Sequence, residues 1–93
     1  MNQWRLTPAA RADLTHIWNY TANRWGEAQA ERYVRQIEND LTGAAEGSKV
    51  VRPIDGVWRV KSGRHLCIFR KLPGEEIEVI RVLHEQMDVD RHL

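Results

Sequence analysis

An α+β fold, running strand, helix, helix and then three strands, follows from three features of this chain. Apolar residues recur with a helical period up to Gly47, the period falls to two beyond it, and Asp55-Gly56, Ser62-Gly63 and Pro73-Gly74 punctuate the second half at strand-length intervals. Elements in that order predict a helical hairpin packed on a small antiparallel sheet. Ninety-three residues, 42% hydrophobic and 29% charged, make a single domain spanning 1–93, with no room for a second core.

The first strand is short. Gln3 to Thr7 alternates polar and apolar side chains until Pro8 removes a backbone donor. Thr7-Pro8 is also a helix start, because a threonine hydroxyl accepts from orphan amides and proline suits the first helical turn. The first helix runs to about Trp25 with Ala10, Leu14, Ile17, Trp18, Thr21 and Trp25 forming its apolar stripe. Gly26 is expected as a left-handed cap. A second helix from about Glu27 to Ala45 buries Ala30, Val34, Ile37, Leu41 and Ala44, and almost no loop separates the two. Three strands follow, over Val57 to Lys61, His65 to Leu72 and Glu76 to Leu83. The last is apolar on both faces and is expected to be central; Val57 to Lys61 alternates like an exposed edge. The tail from Gln86 to Leu93 is charged, with Met87 and Leu93 as its anchors.

The net charge of +1 conceals an uneven distribution. Lys49, Arg52, Arg59, Lys61, Arg64, Arg70 and Lys71 face Asp55 alone between residues 48 and 71, whereas acids dominate the flanks. A basic segment of this kind suits nucleic acid, an acidic protein surface or simply a solvated strand. No apolar run approaches a membrane span and no signal peptide opens the chain, so a cytoplasmic protein without membrane contact is expected. Cys67 has no cysteine to pair with and is expected in the core. The histidines at 16, 65, 84 and 92 include no metal-binding pair on one helix, and the dispersed glycines form no phosphate loop, so neither a metal nor a cofactor is expected.

Chemistry therefore concentrates on the sheet. Arg59, Lys61, Arg64, Arg70 and Arg81 with His84 form the candidate target-binding surface; as catalysts, Arg64 would position phosphate and His84 would act as acid or base. The same cations could equally protect a strand edge from aggregation. Trp58 is the candidate aromatic anchor for a protein partner, or else a core residue.

Several stretches carry a resemblance. Leu6-Thr7-Pro8-Ala9-Ala10-x-x-Asp13-Leu14-x-x-Ile17-Trp18, the Trp25-Gly26 junction, Arg64-His65-Leu66-Cys67-Ile68-Phe69-Arg70 and Ile80-Arg81-Val82-Leu83-His84-Glu85-x-Met87-Asp88 together resemble the RelE/ParE toxin superfamily, on its ParE side. The resemblance implies the toxin of a type II toxin–antitoxin, or plasmid stabilisation, system. Its expected partners are a ParD-like antitoxin and DNA gyrase, which it would inhibit without catalysis, and the toxin alone would not bind specific DNA sequences. The alternative within the superfamily is a ribosome-dependent endoribonuclease of RelE type. Such members are similar to one another in an arginine entering the strand that here reads Leu66-Cys67-Ile68-Phe69, where this chain has Leu66 with Arg64 nearby, and in a tyrosine or basic residue near the chain end; His84 lies about where some of them hold a catalytic histidine, but Glu85 rather than tyrosine follows it. Those departures favour the gyrase branch. A third possibility is a detoxified relative that still binds antitoxin.

Overall fold

The computed structural model describes residues 3–54 and 56–86. Two helices, α1 (Pro8–Trp25) and α2 (Glu27–Glu46), cover one face of a five-stranded sheet built from β1 (Trp4–Leu6), β2 (Arg52–Ile54), β3 (Val57–Ser62), β4 (His65–Lys71) and β5 (Ile77–His84). The strands lie in the order β1-β5-β4-β3-β2. Among the described residues no helix is long and apolar enough to cross a membrane. The expected tail element and its anchors Met87 and Leu93 fall outside the described residues.

Thr7 fixes where α1 begins. Its hydroxyl accepts from the Ala10 amide and donates to the Ile80 carbonyl at 2.8 Å, so one side chain caps the helix and ties it to β5. At the far end Gly26 serves both helices, donating to the Ala22 carbonyl and accepting from the Ala30 amide. Its φ of +93° with ψ 162° is open essentially to glycine alone, and is not the left-handed helical cap expected from sequence. Ala10, Leu14 and Ile17 of α1 meet Ile37, Leu41 and Ala44 of α2 over Val60, Cys67, Phe69, Ile77, Val79 and Val82 of the sheet.

Three expectations are corrected. Val57 to Lys61 is not an edge, because β2 pairs with it through Arg52↔Arg59, Pro53↔Trp58 and Ile54↔Val57. The sheet is mixed rather than antiparallel, since β1 runs parallel to β5. Trp25 is 61% exposed and lies outside the core; the core cluster also omits Trp18, which is half-buried. The last strand is internal, as expected, flanked by β1 and β4.

β5 carries an irregularity that its apolar run disguises. The register passes from Phe69↔Val79 to Ile68↔Arg81, leaving Ile80 as an extra residue. Regular alternation would turn Val79 and Val82 to opposite faces; the bulge keeps both in the helix-facing core. Asp13 of α1 closes the distortion, accepting from the Val82 amide at 2.9 Å and from Arg81 Nε and Nη2 at 2.7 and 3.0 Å. On the opposite face, Ile68 and Leu83 are only 0% and 1% exposed.

Candidate functional site

α1, the first half of α2, the start of β4 and the end of β5 line a groove of about 740 Å³ whose walls include Asp13, Ile17, Tyr33, His65, Val82 and His84. Antiparallel pairing places His65 directly opposite His84, and their rings meet edge to face at 5.3 Å. Tyr33 reaches the same point from α2, its hydroxyl 2.6 Å from His65 Nδ1. This approach depends on Gly63. Its φ is +57° and a β-carbon there would lie 2.8 Å from the tyrosine ring, so the Ser62-Gly63 turn both reverses the chain and admits Tyr33.

The Arg64 amide donates to the Tyr33 oxygen at 3.1 Å, and the Tyr33 hydroxyl and His65 Nδ1 share a hydrogen bond. The Gln86 amide donates to His84 Nδ1 at 3.2 Å. Burial first, and then the neighbouring His84, hold the His65 pKa below its ordinary value. Burial likewise raises that of Tyr33, so the phenol keeps its proton. The floor of the groove thus holds two imidazoles, each with its Nδ1 already engaged within the protein.

The rim has a different character. Tyr20, 54% exposed, meets Trp25 edge to face at 6.4 Å, and the Arg24 guanidinium lies 5.7 and 5.2 Å from the two ring centroids. An exposed Tyr–Arg–Trp cluster beside a groove has the composition of an interface hot spot.

The cationic residues read from the sequence do not form one surface. Arg64 and His84 lie at the groove. Arg81 also lines it, but its guanidinium is engaged by Asp13, whose hydrogen bonds raise the arginine pKa. Arg59 and Lys61 alternate with buried Val60 and Ser62 and so share the sheet face turned away from the helices. There Arg70 Nε donates to Glu78 at 2.6 Å. Lys61 lies 3.2 Å from Glu85 and Arg64 3.7 Å from it, and these cations, Lys61 foremost, lower the Glu85 pKa. Trp58 is half-buried against the core with the Lys71 ammonium 3.9 Å from its ring centroid.

Sequence reasoning omitted Tyr33, His65, Asp13 and Tyr20 from the site. His65 was legible in principle, since pairing the strands that flank Pro73-Gly74 brings the start of one beside the end of the other. The arrival of Tyr33 and Asp13 from the helices had no local signal. Cys67 is in the core as expected, and burial pushes its thiol pKa up to about 12. Among the described residues no group of three His, Cys, Asp or Glu side chains could hold a metal ion.

Residues 4–89 match the family model described as ParE toxin of type II toxin-antitoxin system, parDE. The chain is 38% identical to toxin ParE1 of Mycobacterium tuberculosis over 99% of its own length and 98% of that protein's. It is 37% identical to toxin ParE1 of Caulobacter vibrioides, with 100% and 99% covered, and 34% identical to toxin ParE of Escherichia coli, with 96% and 90% covered. In structure it is similar to a chain of the chromosomal ParDE TA system from P. aeruginosa, with TM-score 0.66 and 23% identity over 90% of this chain and 96% of that one, a likeness of fold.

Proposed function

This chain belongs to the ParE toxin family of type II toxin–antitoxin systems, and we propose that it acts in the cytoplasm by inhibiting DNA gyrase and is neutralised by a ParD-like antitoxin. The observation that carries the reading is the family match, which extends over nearly the whole chain and includes every element of the fold. The groove is compatible with a toxin that binds rather than cuts. A ribonuclease of RelE type would ask His84 to act as acid or base, whereas here its Nδ1 is held by the Gln86 amide. Exposed Tyr20, Trp25 and Arg64, with half-buried His84 beside them, give a large target an aromatic contact and directed donors.

The test is incubation of the protein with gyrase, supercoiled DNA and ATP, scored for protein-linked cleaved DNA, beside a ribosome-dependent messenger-cleavage assay. Accumulated cleaved DNA with intact messenger is expected, and Trp25→Ala should weaken the effect about tenfold, in the range of a hot-spot truncation. Messenger cleavage with unaffected DNA would transfer the protein to the ribonuclease branch. Loss of antitoxin binding instead of gyrase inhibition in Trp25→Ala would reassign the groove to the antitoxin.

A further inference from the structure

Of the cations between residues 48 and 71, five are engaged: Lys49 by Asp40, Lys61 and Arg64 by Glu85, Arg70 by Glu78, and Lys71 by the Trp58 ring. The other two are Arg52 and Arg59. They are direct partners in the β2–β3 ladder, and among the described residues neither pairs with an acid. Like charges directly opposed in an antiparallel pair destabilise it, with β-carbons only about 5 Å apart. Arg59 shares the outer sheet face with Lys61, so its partner Arg52 projects there too, exposed at the sheet margin. The next residue across in the row is the fully buried Ile68.

We propose that Arg52 and Arg59 form a two-guanidinium clamp for a carboxylate of the ParD-like antitoxin, a proposal that rests on the partner reading above. A bound carboxylate removes the repulsion between the two side chains and can accept fork-like hydrogen bonds from both. The surroundings select a carboxylate over nucleic acid. A phosphate backbone needs an unbroken track of cations, whereas here Glu78, bound to Arg70, and Glu85, shared by Lys61 and Arg64, interrupt the row and leave Arg52 and Arg59 as the adjacent pair without an acid among the described residues. They also select side-chain capture over strand addition, because Pro53, the middle residue of this three-residue edge strand, has no amide to donate.

The experiment compares the full chain with its Arg52→Gln/Arg59→Gln double variant in calorimetric titration against the antitoxin encoded beside it, at low and high salt. Thermal melts of each free protein accompany the titrations. The double variant is expected to bind about tenfold more weakly, with a flatter salt dependence, while melting at or above the temperature of the parent. A merely structural pair would show the opposite melting shift. Unchanged antitoxin affinity overturns the clamp. So does retained antitoxin affinity with lost binding to a labelled duplex oligonucleotide, which would assign the pair to nucleic acid, or with lost gyrase inhibition, which would assign it to the target. Failure of the parent to bind antitoxin overturns the partner reading itself. Should the double variant not fold, Arg52→Gln alone, at an exposed position, carries the same comparison.

Discussion

His65 gives the site its titrating behaviour. Its pKa is held below the ordinary 6.5 by burial and by His84, so the unfolded chain binds this proton more readily than the folded one. The stabilising contribution is therefore complete above about pH 6.5 and is lost as pH falls through the lowered folded value. Melting temperature should fall as pH drops below about 6.5, and His65→Gln should flatten that slope while lowering the melt at high pH through the lost ring contacts with Tyr33 and His84. An identical slope in the variant would locate the titrating group elsewhere. Glu85 also shifts downward, chiefly through Lys61, and its window begins only below the ordinary carboxylate value of 4.5. None of this was legible in the residues around position 65, because burial and a cross-strand neighbour produce it.

The β5 bulge and Asp13 show how one element imposes geometry on another. Among the described residues Asp13 is the only side chain that holds both the Val82 amide and the Arg81 guanidinium, so Asp13→Ala leaves a backbone donor and a half-buried cation unsatisfied together. A destabilisation of about 2 kcal/mol is expected in urea unfolding, with faster hydrogen exchange at Val82; an unchanged midpoint would mean that the bulge holds itself. The helices were readable almost to the residue, since Thr7-Pro8, Gly26 and Gly47 punctuate long amphipathic stretches. β2 was not, because Arg-Pro-Ile is too short to show a period and contains a proline. Missing β2 and expecting an antiparallel sheet are one error. If every connection reverses the chain, the first and last of six elements run oppositely, and the seventh element restores the parallel pairing of β1 with β5.

For the molecule as a whole, a small domain has little stability to spare, and Phe69, fully buried where the helices meet the sheet, supplies a large part of it. Phe69→Ala should cost about 3–5 kcal/mol, of the same order as the total for a domain of this size. The free variant is expected to be largely unfolded by circular dichroism and to regain structure when antitoxin is added, because a partner that binds only the native state adds its binding energy to folding. A variant as stable as the parent would contradict the single shared core. The sequence by itself determined the two helices, four of the five strands with the three turns around them, the burial of Cys67 and the family, because these depend on local periodicity, turn chemistry and motifs read in order. Only the tertiary structure decided strand direction, the division of the basic residues between two faces, and the meeting of Tyr33, His65 and His84. Each of those depends on contacts between residues far apart in the chain, which pairing and packing create and no local pattern encodes.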